Sequence, residues 1–200
     1  MSLVLASGSP RRKALLEGVG IHLAGVVPPS IPEIRHNGET PTAYVCRLAQ
    51  EKAEAVTVPQ HWILAADTIV FDADRLFEKP RDTADAVEIL SYLSGKWHHV
   101  TTAWHLRFCQ HEQNDDETPT QRGHCTTQVK FRALTDHEIN AYIRSGEGTD
   151  KAGSYGIQGI GAALVEQVQG DFSNVVGLPM SDVLHALASV GVIPKRAPTR

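Results

Sequence analysis

Cysteine is scarce in this sequence. Cys46, Cys109 and Cys125 lie far apart and are odd in number, which argues against a disulfide framework and for a reducing compartment, with the cytoplasm as the expected location. Long apolar runs are absent as well. No stretch approaches the roughly 20 residues needed to span a bilayer, so no membrane association is expected. Residues 1–6 lead straight into Ser7-Gly8-Ser9-Pro10-Arg11-Arg12, without the basic region and extended apolar segment of a secretory signal. Positive charge is not in excess either. A formal net charge of −4 provides no broad basic field for a nucleic-acid backbone, and nucleic acid is not an expected partner.

Several familiar catalytic signatures are missing. Gly156, Gly159 and Gly161 lack the spacing of a dinucleotide fingerprint, and no G-x-x-x-x-G-K-[ST] loop occurs. The ten histidines form no H-E-x-x-H pair. His98 and His99 would face opposite sides of a strand. His124-Cys125 with His111 is too loose for a zinc site, and no serine sits in a G-x-S-x-G elbow.

What is present is 42% apolar residues in a chain of 200, ample for the core of one medium domain. Residues 3–6 read as a short buried strand, after which Ser9-Pro10 opens a helix as N-cap and first helical residue. Residues 26–38 are proline-rich and read as a loop. Thr40-Pro41 starts a second helix ending near Ala55, with Tyr44, Val45, Leu48 and Ala49 on one stripe. Residues 62–71 are apolar at alternate and intervening positions alike, the pattern of a strand covered on both faces. Leu76-Phe77 reads as its hairpin partner.

Asp82 or Thr83 caps a third helix, residues 98–108 and 125–131 read as strands, and 110–123 reads as an exposed, mobile hairpin tip. Thr135 to Glu138 is a capping box for a helix ending at Ser145-Gly146. Residues 162–168 read as a strand and 179–190 as a closing helix. Helices and strands interleave, so an α/β class with a mixed sheet is expected. It forms one domain over residues 1–194, followed by a frayed tail at 195–200.

Five segments carry chemistry. The Ser7 to Arg12 run lies at a strand-to-helix junction, where free amides, hydroxyls and guanidiniums make either an ordinary N-cap with solvated arginines or a phosphate cradle. The buried strand before it and Gly8 between two serines favour the cradle. Lys52 falls on the core-facing stripe of the second helix, so it must snorkel outward or meet an anion. Asp67 interrupts the apolar run of the central strand and needs a cation, a metal or hydrogen-bond donors, the pattern of a metal-binding or general-base carboxylate. Lys79 is fixed beside Pro80 after the hairpin. The run from Asp150 to Gly159 contributes glycines that allow close backbone approach and Gln158, whose amide suits a base edge.

These blocks resemble the Maf family. The matching residues are Leu5-Ala6-Ser7-Gly8-Ser9-Pro10-Arg11-Arg12, Ala66-Asp67-Thr68, Glu78-Lys79-Pro80 and Ala152-Gly153-Ser154-Tyr155-Gly156-Ile157-Gln158-Gly159, with Asn174-Val175-Val176-Gly177-Leu178-Pro179 as a further block. The resemblance implies a Maf/inosine-triphosphatase-like α/β fold, a mixed twisted sheet flanked by helices, with two lobes around a cleft. It also implies hydrolysis of a nucleoside triphosphate to a monophosphate and pyrophosphate with a divalent cation, Mg2+ or Mn2+. Asp67 then matches the proton acceptor. Ser7, Ser9, Arg12, Lys52 and Lys79 fall around the phosphates, and Glu33 matches an acidic position that joins Asp67 at the metal.

Substrate choice in the family is carried by three positions. Arginine, threonine and glutamine mark members acting on dTTP and UTP, and here they are Arg11, Thr68 and Gln158; members acting on 7-methyl-GTP resemble Trp, Gln and Glu at those places. Two alternatives remain open from the sequence, a 7-methyl-GTP-type pyrophosphatase and a non-catalytic nucleotide-binding regulator of cell division. A homodimer is common among such small enzymes.

Overall fold

The computed structural model describes residues 1–73, 75–110 and 119–193. The expected mobile tip falls partly, and the expected frayed tail wholly, outside the described residues. Seven strands form one mixed sheet in the order β2-β1-β3-β5-β6-β7, with β4 paired to β3. These are β1 (Leu3–Ala6), β2 (Leu23–Val26), β3 (His61–Asp72), β4 (Arg75–Phe77), β5 (Trp97–Cys109), β6 (Thr120–Phe131) and β7 (Val165–Gln169). The helices are α1 (Pro10–Gly18), α2 (Pro41–Glu54), α3 (Thr83–Leu93), α4 (Asp136–Arg144), α5 (Phe172–Val176) and α6 (Met180–Ser189). Among the described residues no helix is long and apolar enough to cross a membrane.

The chain divides into two compact units. The first comprises Met1–Asp67, Ala103–His124 and Gly177–Arg200, the second Thr68–Thr102 and Cys125–Val176, so β3, β5 and β6 each supply residues to both. In the first unit β1 pairs in parallel with β2 and with β3, Leu3 opposite Trp62 and Ala6 opposite Ala65. Period-two alternation sends the side chains of β1 and β3 into two different cores. Leu3, Leu5, Trp62, Leu64 and Ala66 pack with Leu16 of α1 and with Val183 and Leu187 of α6. Val4, Ala6, Ile63 and Ala65 pack with Ala53 of α2 and with Val56. Covered on both faces, the strands must be apolar throughout, and each buried leucine contributes about 2 kcal/mol.

In the second unit β3 continues into an antiparallel hairpin with β4, Val70 opposite Phe77, and β6 pairs antiparallel with β7. Asp82 caps α3 through Asp85 N, and α4 carries the full reciprocal box between Thr135 and Glu138.

Four elements differ from the expectation. Strand β2 was not expected, because its four residues are half-exposed or exposed and leave it no buried apolar alternation. Strand β6 starts at Thr120 rather than Cys125; its first residues are exposed or half-exposed and polar, so ladder pairing and not burial makes them a strand. Residues 159–164 form a 3₁₀ turn ahead of β7, which begins at Val165, and the short α5 went unread.

Candidate functional site

The same alternation that builds the first core decides where Asp67 points. Residues 63, 65 and 67 of β3 share the face that meets α2, and Lys52 lies on the buried stripe of α2. The lysine does not snorkel to solvent. Its Nζ donates to Asp67 Oδ1 and lies 2.7 Å from Glu33 Oε1. Lys52 is 9% exposed and Asp67 7%, whereas the Glu33 side chain is 45% exposed. Burial raises the Asp67 carboxyl above the ordinary carboxylate range, and the charges of Lys52 and Arg12 pull it partly back.

In the Ser7 to Arg12 turn an ordinary N-cap is combined with one buried arginine. Ser9 caps α1 by accepting from Arg12 N at 3.5 Å, and Pro10 holds the first helical position. Ser7, 4% exposed, accepts from Ser9 N at 3.2 Å and from an Arg12 guanidinium NH at 3.1 Å. Arg12 also donates from Nε to Gly177 O at 2.7 Å, anchoring a 9% exposed cation to the chain segment that leads into α6. Burial lowers the Arg12 guanidinium from its usual value and Asp67 opposes that shift. Arg11, the next residue on the turn, is half-exposed. The first unit thus brings Ser7, Ser9, Arg12, Glu33, Lys52 and Asp67 into one polar cluster bordered by two arms of apolar core.

The second unit carries the other expected residues. Thr68 is the next residue of β3, and its hydroxyl lies 2.8 Å from that of Thr102 on β5. Lys79 is exposed. Its segment is tied to the glycine-rich run, since Gly153 N donates to Glu78 O at 3.3 Å. Gly153 must be glycine here: at φ +71°, a Cβ would sit 3.0 Å from the Val70 side chain of β3. Gln158 is exposed, and its side chain makes no cap hydrogen bond to the 3₁₀ turn it precedes.

One residue of this unit escaped the sequence reading. Glu147 Oε2 accepts from Ile160 N and Oε1 from Gly161 N, both at 2.8 Å, and the Tyr142 hydroxyl donates to Oε1 at 3.2 Å. Tyr142 Oη in turn accepts from Gly156 N at 3.1 Å. The backbone on either side of Gln158 therefore hangs from one carboxylate and one phenol. A single glutamate ahead of a glycine-rich run was the only sequence signal available. Glu147→Gln turns one acceptor oxygen into a donor facing an N–H, at a cost of about 1–3 kcal/mol. Hydrogen exchange at the Ile160 and Gly161 amides is expected to accelerate about tenfold or more; unchanged protection at both amides would remove Glu147 from this role.

Among the described residues no group of three His, Cys, Asp or Glu side chains could hold a metal by itself. Asp67 and Glu33 nevertheless direct carboxylate oxygens at one point, the Lys52 Nζ. A Mg2+ ion is typically held by one or two carboxylates together with substrate phosphates rather than by a full protein cage. The donor pair fits a divalent cation that arrives with a phosphate-bearing ligand.

Comparison with known proteins places these features in a family context. The family model described as "Maf-like protein" matches residues 2–190. A dTTP/UTP pyrophosphatase of Desulfotalea psychrophila is 43% identical over 193 residues, covering 96% of this chain and 95% of its own. The protein of the same description from Syntrophomonas wolfei is 44% identical over 189 residues, covering 94% and 96%. That from Shewanella oneidensis is 43% identical over 202 residues, covering 96% and 100%. Among solved structures, a HAM1 protein from Coxiella burnetii overlays with a TM-score of 0.43 at 17% identity, covering 95% of this chain and 98% of its own, a likeness too loose to carry weight.

Proposed function

We propose, from the premise that this chain belongs to the Maf family, that it is a nucleoside triphosphate pyrophosphatase acting on dTTP and UTP. The observation that carries the reading is Asp67, a buried carboxylate raised by burial and set against Lys52 and Arg12 beside a serine-lined helix start. Its relatives' descriptions as dTTP/UTP pyrophosphatases support the substrate, as do Arg11, Thr68 and Gln158.

Water attacks the α-phosphorus in line, the bond to the bridging oxygen breaks, and pyrophosphate leaves. Asp67 takes the proton of the attacking water, and a carboxylate of raised pKa is a stronger base for that task. Ser7, Ser9, Arg12 and the amides opening α1 hold phosphate oxygens, with Lys52 and Lys79 as further cations. Arg12 and Lys52 are already fixed by buried hydrogen bonds, so little reorganisation accompanies charge development. Asp67 and Glu33 are the residues that would hold Mg2+ or Mn2+. Held there, such a cation would offset charge growing on the pyrophosphate. Arg11, Thr68 and Gln158 are assigned to the base.

We place the enzyme in the cytoplasm, in line with cysteines that are few, widely spaced and odd in number, and its net charge of −4 favours a free nucleotide over a nucleic acid as partner. The deciding measurement is pyrophosphate release from dTTP, UTP, CTP and 7-methyl-GTP, with Mg2+, with Mn2+ and with chelator. Release from dTTP and UTP is expected to exceed that from 7-methyl-GTP by about a hundredfold or more, because a site that hydrogen-bonds one base edge leaves its polar groups unpaired on another. Release should cease with chelator. Tight nucleotide binding without pyrophosphate release would overturn the enzymatic reading, and preference for 7-methyl-GTP would overturn the base assignment.

A further inference from the structure

The Asn174 to Pro179 block matches the family, yet the chemistry above uses none of its side chains. Asn174 is fully buried, and every hydrogen bond it makes has a fixed direction. Its Oδ1 accepts from Thr102 N at 3.0 Å, and its Nδ2 donates to Val100 O and to Thr127 Oγ1, both at 2.9 Å. An N–H only donates and a carbonyl only accepts, so the amide has one possible orientation. Thr127 confirms it, since its own hydroxyl proton goes to Asp171 O at 2.9 Å, leaving it an acceptor towards Asn174.

The same reasoning extends to the base-facing threonine. Thr102 Oγ1 donates its single proton to Asn174 O at 2.8 Å. In the 2.8 Å contact between the two threonine hydroxyls, Thr68 must therefore be the donor. Reversal would strip a fully buried carbonyl of its donor, and Thr102, Thr127 and Asn174 are all 0% exposed, so water cannot replace it. Towards any other group, the Thr68 oxygen acts as an acceptor.

We propose that Thr102 and Asn174 are positioning residues that fix the polarity of the Thr68 hydroxyl, so that it accepts from the ring N3–H of a uracil or thymine base. That N–H is the sole donor on the pairing edge of either base, whereas cytosine presents a bare acceptor at the same ring position. Two acceptors facing each other repel, and the site rejects the cytosine nucleotide. This inference rests on the proposed function and its assignment of Thr68 to the base.

The test is the ratio of kcat/KM for UTP to that for CTP. Thr102→Val removes the acceptor, frees the Thr68 proton to turn towards cytosine, and should lower the ratio about tenfold. Thr102→Ser keeps the hydroxyl and should keep the ratio. In a Thr68→Val background, Thr102→Val should no longer change it, the mark of coupling rather than two separate effects. If Thr102→Val fails to fold, Thr102→Cys fills the site with a weak acceptor and should move the ratio in the same direction. A ratio unchanged in Thr102→Val or Thr102→Cys, with both nucleotides slowed equally, would overturn the inference and leave Thr102 a packing residue. A wild-type enzyme with no preference for UTP over CTP would instead overturn the base assignment on which it stands.

Discussion

Asp67→Asn is expected to lower turnover of dTTP and UTP by about 10²- to 10⁴-fold, the usual worth of a positioned general base, while nucleotide affinity stays close to wild type. The substitution is nearly isosteric and leaves the Arg12 guanidinium held by Ser7 Oγ and Gly177 O, so the proposed phosphate contacts remain. The fold should tolerate it. A buried carboxylate whose ionisation burial opposes contributes little net stability even when paired. Lys52 also keeps its ion pair with Glu33. Single-turnover kinetics separate the cases: slow chemistry with normal binding supports the assigned role, and near-normal chemistry would remove Asp67 from the proton transfer.

A second large effect concerns stability in acid. His98 on β5 is fully buried, its ring edge-on to Phe131 and Tyr155 with centroids at 4.9 and 5.4 Å. Nε2 lies 2.9 Å from the Tyr155 hydroxyl, and Nδ1 has no hydrogen-bond partner among the described residues. Burial, helped by the neighbouring charge of His99 and opposed by Asp72, lowers its pKa from 6.5 to about 4. Because the folded value is depressed, the stability from keeping His98 neutral is complete above pH 6.5 and is lost as pH falls towards 4. That window is worth about 3 kcal/mol in total, of which about 2 is lost between pH 7 and pH 5. His98→Gln keeps a hydrogen-bonding tip near Tyr155 but cannot titrate. Urea denaturation at the two pH values should show that the variant loses less stability than wild type over this interval, by that amount. Equal losses would show that His98 does not carry the acid sensitivity.

The parts of this protein legible in the sequence are those where burial acts on both faces or a cap acts locally. Residues 62–71 are a strand because two cores claim alternate side chains, and Asp67 stands out for the same reason. Thr135 and Glu138 are three residues apart and need nothing beyond their own helix. Lys52 was half legible: its place on the buried stripe follows from helical spacing, whereas its choice between solvent and an anion depends on β3. Glu33 was reachable only through the family resemblance, because an exposed side chain in a proline-rich loop has no periodicity.

Other contacts follow no local period. Arg12 meets Gly177 across 165 residues of chain, and Glu147 meets Ile160 and Gly161 across 13 and 14. Strand β2 and the start of β6 were missed because ladder pairing with a neighbour, rather than their own polarity, makes them strands.

The suspension of the glycine-rich run has a consequence for how this protein can change. A Cβ on Gly161 would lie 2.0 Å from Gly156 O, and one on Gly148 would lie 2.1 Å from Ser154 O, so the backbone around Gln158 has almost no freedom to be rebuilt. Gln158 itself is exempt, being exposed with a side chain that makes no cap hydrogen bond to its own turn. The frame and the residue proposed to face the base are thus held by different contacts. Position 158 is open to exchange at small cost to folding, so the residue proposed to read the base can vary while the frame stays intact.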